Sequence, residues 1–407
     1  MSDPVDSSPL ASAALVSSVG VIGGGSSSGA SRESRSFDSG EVEVSAAGEP
    51  PFDCLAVDQR ALRKAGLSER AAQVAAASRR PSTIRMYNSR ICHWHKWCGS
   101  RGQSPDSASV GAVADFLTGL HDQGLQTNTI AGYRSAIGSV HTGFADGTSV
   151  SNNPLIHRLV RGLFHMRPPP QRLVPSWSLT AVLRALAKAP YEPLGKAPLK
   201  WLSYKCAFLL TLASARRSSQ ITALSVESDC LVWTQNGVKL ATKLGFLAKN
   251  QRLNFTPEPI SLRAMESFSD TPEDKLWCPV RALKFYVDRT KTIRKGCNQL
   301  FVKIVEPHNG ISTPTLAGWI VNTIKAAYPV GQAPGIDPKA HDLRGISASW
   351  AKFNHASLED IVNAAAWKTP TTFASCYVKD VVGSESRFGV KVLSGATAAA
   401  KKLPTTH

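Results

Sequence analysis

Paired cysteines are missing from this 407-residue chain. Its eight cysteines, at 54, 92, 98, 206, 230, 278, 297 and 376, follow no paired spacing. That argues against a disulfide-stapled scaffold and for reduced thiols in an intracellular protein. Long apolar runs are missing too: none reaches the roughly 20 residues that a spanning helix needs. The mildly apolar LASAALVSSVGVIGGG follows MSDPVDSSP, which has no basic stretch, so it does not read as a signal peptide. Neither an internal repeat nor a glycine-rich phosphate loop of the nucleotide-binding kinds is present. Acids are scarce, with 30 Asp and Glu against 47 Lys and Arg. The first 50 residues hold seven acids and two arginines, a net of −5, which leaves +22 on residues 51–407 of a chain whose total is +17. A body that basic points to a polyanion, most simply nucleic acid, although charge alone fits an ordinary basic protein equally well.

Metal-ligand patterns are thin as well. Asp270, Glu273 and Asp274 in DTPED are local and turn-like, a poor two-metal nuclease site. In ICHWHKWC, helical spacing puts Cys92, His95 and Cys98 on successive turns while His93 points away. Three ligands without a second cluster read better as a packed helix face than as structural zinc.

The tail 1–50, rich in Ser, Gly and Ala, has too little apolar surface to offset chain entropy and is expected to be disordered. From about residue 56 the pattern is helical. Ile84, Tyr87, Ile91, Trp94 and Cys98 recur at steps of three and four. So do Val113, Phe116, Leu117 and Leu120, and then Ile130, Tyr133, Ile137 and Val140. Each run follows a Ser, Thr, Asn or Asp suited to an N-cap. NPLIHRLVRGLF adds a helix, so 56–165 reads as an all-helical domain. MRPPPQRLVPSW then makes a stiff basic linker over 166–176. Residues 177–390 are mixed. WLSYKCAFLLTLASA reads as a buried helix, LVWTQNGVKLATKLGFLA as strands around the Asn236–Gly237 turn, and QRLNFTPEPISL as a further strand. WCPVRALKFYVDRT, TLAGWIVNTIKAAY and HDLRGISASWAKF are helical, and 391–407 form a tail. The fold class is mainly α with a small β-sheet.

Two segments carry candidate chemistry. In HDLRGISASWAKF, Leu343, Ile346, Trp350 and Phe353 share one face, while His341 and Arg344 lie three apart on the other with Gly345, Ala348 and Ala351. A cation and an imidazole framed by small residues leave room for an anion to approach. In LLTLASARRSSQITAL, Arg216 and Arg217 end a run that should be buried, so each needs a phosphate or a carboxylate partner.

Taken together, Arg217 in ARRSSQITALSV, His341 and Arg344 in H-x-x-R, Trp367 and Tyr377 resemble the tyrosine recombinase (phage integrase) family. The resemblance spans roughly residues 65–390. GLSERAAQVAAASRRPSTIRMYNSRICHWHKWC is similar to the family's helical core-binding (SAM-like) domain. LWCPVRALKFYVDRT and GFLAKNQRL are similar to the recombinases of eukaryotic DIRS-type retroelements. The resemblance implies a mixed α/β catalytic domain in which Arg217 and Arg344 clamp a scissile phosphate. It makes His341 an acid/base, Trp367 a packing or hydrogen-bonding group, and Tyr377 the nucleophile. A hairpin lysine, Lys249 or Lys243, would protonate the leaving oxygen. Gln220 stands where the family often has an acid.

The partner implied is double-stranded DNA, bound by a homotetramer on paired sites, in the nucleus and without membrane association. A phosphotyrosine conserves the phosphodiester energy, so no cofactor, ATP or metal is expected. A catalytically silent DNA-binding derivative and a type IB topoisomerase-like enzyme share most of these residues. A helical domain before a short catalytic domain favours a recombinase.

The charge split yields a direct expectation. Duplex DNA affinity should fall steeply with salt through counterion release, and deleting residues 1–50 should not weaken it. Titrating the full chain and a 51–407 truncation across a salt series checks this; a flat response would contradict it.

Overall fold

The computed structural model describes residues 53–169, 176–249, 251, 256, 258–269, 271–328 and 337–379. The tails at 1–50 and 391–407, Asp270, the middle of the linker and most of QRLNFTP lie outside the described residues. The chain divides into two compact units, Met1–Pro169 and Pro170–His407. Among the described residues no helix is long and apolar enough to cross a membrane.

Among its described residues the first unit has six helices: α1 (Cys54–Lys64), α2 (Glu69–Ala76), α3 (Pro81–Gly99), α4 (Val110–Asp122), α5 (Thr127–Ile137) and α6 (Pro154–Met166). Its core follows the sequence periodicity. Trp94 and Cys98 from α3, Val113, Phe116, Leu117 and Leu120 from α4, and Ile130 and Ile137 from α5 are buried together. The Phe116 ring meets Trp94, Trp97 and Tyr133 edge-on. Trp94 Nε1 donates to the Pro105 carbonyl at 2.8 Å, so the buried indole is satisfied. Cys98 belongs to this core, and His93 pairs with the Tyr133 hydroxyl at 3.2 Å. Side-chain caps are present at α4, from Ser109, and at α6, from Asn153. The side-chain caps expected at α3 and α5 are absent: neither Arg80 nor Gln126, which precede these helices, makes a side-chain capping hydrogen bond. Pro81 at the first turn pre-sets α3 instead.

The second unit opens with α7 (Leu179–Leu186), α8 (Leu199–Ser214) and the short α9 (Ser218–Thr222). An antiparallel sheet follows in the order β1 (Leu231–Thr234), β2 (Gly237–Leu240), β3 (Ile260–Arg263). Gln235 and Asn236 make the β1–β2 turn, with Trp233 opposite Val238. Gly237 is required by close approach, because a β-carbon there would fall 2.0 Å from the Leu262 carbonyl oxygen. Then come α10 (Pro279–Thr290), α11 (Thr313–Ala326), α12 (Asp342–Phe353), α13 (Leu358–Ala364) and α14 (Pro370–Cys376). Of the strand read into QRLNFTPEPISL, only its end is a described strand, β3.

Helix α8 is apolar nearly all round and becomes the axis of this unit, packed by α10, α11 and α12. Within it, Lys205 is fully buried. Its Nζ donates to the Leu186 carbonyl and to Glu192, which also receives both Arg281 Nη groups at 2.8 and 3.2 Å. Burial works to raise the Glu192 carboxyl, but these bonds outweigh it and hold the group below its usual range. Removing the carboxylate would strand a buried ammonium. Glu192→Gln should therefore lose about 3–5 kcal/mol of stability at pH 7, read by thermal or urea denaturation. Wild-type stability in that variant would contradict the assignment.

Candidate active site

Where α8 ends, Ala215 takes a left-handed conformation with φ 50°, which costs a non-glycine residue about 1–2 kcal/mol. The turn delivers Arg216 and Arg217 in succession. Arg216 is 4% exposed, and its Nη2 donates to the Glu258 carbonyl at 2.9 Å, just ahead of β3. Arg217 caps α9 and is partly exposed; its backbone N–H donates to Gln220 Oε1 at 3.3 Å. Gln220 thus supports the backbone at Arg217. Arg216, Gln220, Ala248 and Gln251 line one cavity of about 270 Å³, so the segment carrying Lys249 lies over this turn.

The second contribution comes from α12, with His341 at its N-terminus and Arg344 in its first turn. The expected apolar face is present: Leu343 and Ile346 join the main core, and Trp350 packs on it. The opposite face corrects the sequence reading. Arg344 is not on an open face but only 2% exposed, and its neighbours Ala348 and Ser349 are buried too. The room left by the small residues is filled by the chain itself, because α13, α14 and the tyrosine after them fold back over α12. Ala348, Ile361, Ala365, Trp367 and Phe373 form the resulting apolar cluster, with Tyr377 packed against it.

Arg344 is the buried centre of the site. Its Nη2 donates to the Ala365 carbonyl at 2.6 Å. The guanidinium carbon lies 4.7 Å from the Trp367 ring centre and 5.5 Å from that of Tyr377, within cation–π range. Arg344 Nε and Nη1 are buried with no protein acceptor, as is Trp367 Nε1. Burial first, and then the charge of Arg217, push the guanidinium down to about 9; Tyr377 opposes the shift and Arg216 adds to it. A buried cation among like charges, with two donors unsatisfied, is chemically suited to an anion that accepts two hydrogen bonds.

Tyr377 closes the group. Its Oη lies 3.0 Å from His341 Nε2, and its ring is 4.8 Å from Trp367. Part of the His341 ring meets solvent, but burial of the rest lowers its pKa, helped by Arg344, Arg217 and Lys249 and opposed by Asp342. The structure therefore brings together His341, Arg344, Trp367 and Tyr377, with the charges of Arg217 and Lys249 acting on His341. Lys243 is exposed, with its backbone N–H bonded to the Ala223 carbonyl, and is not among the charges that depress His341. Sequence reasoning missed the Ala365 carbonyl as the Arg344 partner and the tie from Arg216 to Glu258; neither backbone acceptor leaves a side-chain signal. Among the described residues, the one group with metal-ligand spacing is Glu227, Asp229 and Cys230, outside this cluster.

Comparison with known proteins adds the fold. Residues 73–145 match the family described as phage integrase, N-terminal SAM-like domain. No curated protein matches the chain. Among solved structures, the XerH site-specific recombinase on a palindromic difH substrate, a post-cleavage complex, is 14% identical with TM-score 0.51. The match covers 86% of this chain and 96% of that one. The Tn1549 transposon integrase in complex with transposon right end DNA is 12% identical at TM-score 0.48, covering 85% of this chain and all of that one. A lambda integrase dimer bound to a COC' core site is 13% identical at TM-score 0.45, covering 82% and 78%. At such identities the likeness establishes fold alone, and the XerH match carries it. The fold is mainly helical with a small antiparallel sheet, its N-terminal unit contains the match to the phage integrase SAM-like domain, and as a whole it is similar to the fold of the XerH recombinase.

The electrostatics of His341 are directly measurable. In the free protein its imidazole should titrate below the ordinary 6.5 or so, and Arg344→Ala should move the midpoint up. Any stability attached to neutral His341 is then present above about pH 6.5 and lost as pH falls through the folded value. An NMR titration with a wild-type midpoint at or above 6.5 would contradict this.

Proposed function

We propose that this chain is a tyrosine recombinase, a site-specific DNA recombinase or integrase. It would cut and rejoin duplex DNA through a covalent 3′-phosphotyrosine. One observation carries the reading: the Tyr377 hydroxyl sits 3.0 Å from His341 Nε2, beside a buried arginine with two unsatisfied donors.

The chemistry follows from the groups present. A phosphodiester oxygen accepts from Arg344 Nε and Nη1, Arg217 adds a second cation, and Trp367 Nε1 offers one more donor. Tyr377 Oη attacks phosphorus as its proton passes to His341 Nε2, which is free to accept it when the lowered imidazole is neutral with its proton on Nδ1. The bond from phosphorus to the 5′ oxygen breaks, and Lys249 gives that oxygen a proton. The surrounding cations match the charge gained by the pentavalent transition state. The phosphotyrosine keeps the bond energy, so a second 5′ hydroxyl can reverse the step without ATP. Lys249 is preferred to Lys243 because its flanking residues Ala248 and Gln251 line the cavity shared with Arg216, and its charge helps to lower the His341 imidazole.

Around this chemistry we place a homotetramer on paired duplex sites, in the nucleus. The helical domain of 56–165 and the catalytic domain of 177–390 would grip DNA through the basic linker at 166–176. Kinship with DIRS-type retroelement recombinases rests on LWCPVRALKFYVDRT and GFLAKNQRL.

Nicked duplexes of randomised sequence, with either an ordinary phosphate or a 5′-bridging phosphorothiolate at the nick-proximal bond, provide the test. Tyr377→Phe should abolish covalent attachment while changing duplex affinity less than twofold. Arg344→Ala should slow attachment by about 10²–10³-fold or more and also weaken binding. Lys249→Ala should lose about 10²–10⁴-fold on the ordinary phosphate and recover on the phosphorothiolate, whose sulfur leaves without a proton. A covalent adduct formed by the Tyr377→Phe protein would overturn the proposal.

A further inference from the structure

Tyr377 lies just past the end of α14, at its C-cap, where the helical hydrogen bonding closes. Its own N–H and that of Val378 both reach back to the Phe373 carbonyl, at 3.0 and 3.1 Å. The next groups, the Tyr377 carbonyl and the Lys379 N–H, turn to α12. Lys379 N–H donates to Ser349 Oγ at 2.9 Å, and Ser349 Oγ lies 3.4 Å from the Tyr377 carbonyl as its donor. One helical turn earlier on the same face is Gly345. A β-carbon there would lie 3.0 Å from the Tyr377 carbonyl oxygen and 3.7 Å from its Cδ1. Ser349 is 5% exposed, and Gly345 is buried as well.

We infer that Gly345 and Ser349 form a docking seat on α12 for the backbone of 377–379, and that Ser349 is a positioning residue for the Tyr377 phenol. This rests on the reading of Tyr377 as the nucleophile. The helix that carries the seat also carries Arg344 and His341. The connection along the chain from Arg344 to Tyr377 runs through α13, α14 and two turns, one of them at left-handed Ala366 with φ 49°. That route has many joints. Seating the tyrosine segment directly on α12 replaces it with a short reference length, so the phenol and the arginine move as one body. Gly345 sets how closely the segment approaches, and Ser349 sets where along the helix it stops. The hydrogen bonds of Ser349 are to backbone, so its loss should act on the rate of attack and leave DNA affinity unchanged. A displacement of even 1 Å is enough to cost on the order of 10²-fold in such a step.

Two independent readouts on the full chain test the seat: amide hydrogen exchange at Lys379, and the single-turnover rate of adduct formation on saturating nicked phosphorothiolate duplex. Ser349→Ala should raise Lys379 exchange at least tenfold and slow adduct formation 10- to 100-fold, with duplex affinity within twofold of wild type. Gly345→Ala should slow adduct formation in the same range by lifting the segment. Ser349→Thr, which keeps the hydroxyl, should restore most of the rate and controls for a general packing defect. A folded Ser349→Ala protein that forms adduct within threefold of wild type would overturn the inference. So would a loss of rate matched by an equal loss of affinity. If the wild type forms no adduct at all, the nucleophile reading fails, and unchanged Lys379 exchange in Ser349→Ala would still decide against the seat.

Discussion

The site depends on one costly placement, a guanidinium in the first turn of α12 that is 2% exposed. Water has been removed from Arg344, and the protein returns one carbonyl, from Ala365, together with the faces of Trp367 and Tyr377. That is too little for five N–H donors, and the nearby charges of Arg217 and Arg216 deepen the deficit. Burial and repulsion together leave a cation whose missing stabilisation an anion can supply. Stability withheld at such a site is regained when the charge partner binds, the usual relation between an incompletely satisfied site and its ligand.

The placement also explains the small residues around it. Arg344 can be buried only if something covers α12, and the cover, from Ala365 to Tyr377, needs Gly345, Ala348 and Ser349 to approach the helix. Trp367 fills the space under the guanidinium while stacking on Phe373. The same cover brings the Tyr377 hydroxyl to His341. Cation, imidazole and phenol are therefore three consequences of one packing arrangement, and none can be moved far without disturbing the others.

Much of this was legible in the sequence, unevenly. Helices with clear periodicity, such as α3, α4 and α5, declared themselves because burial repeats every three or four residues. The two faces of α12 were readable for the same reason. The burial of Arg344 was not, because the residues that cover it come some twenty positions later, and no local pattern announces a fold-back. The turns at Ala215 and Ala366 were hidden as well, since a left-handed alanine leaves none of the signal a glycine would. The lysine choice stayed open between 243 and 249 because hairpin register is a tertiary property. The absent cap at α3 marks the converse case, in which Pro81 in the first turn stands where a capping side chain was expected to act.

The most direct measurement is peptide mapping of the wild-type adduct trapped on nicked duplex. Trypsin should release residues 369–379, TPTTFASCYVK, a peptide with one tyrosine. Fragmentation should put the 3′-nucleotide phosphate on Tyr377, stable to acid as an aryl phosphodiester. Nucleotide mass on Ser375, on a threonine of the same peptide, or on any other peptide would contradict the phosphotyrosine mechanism.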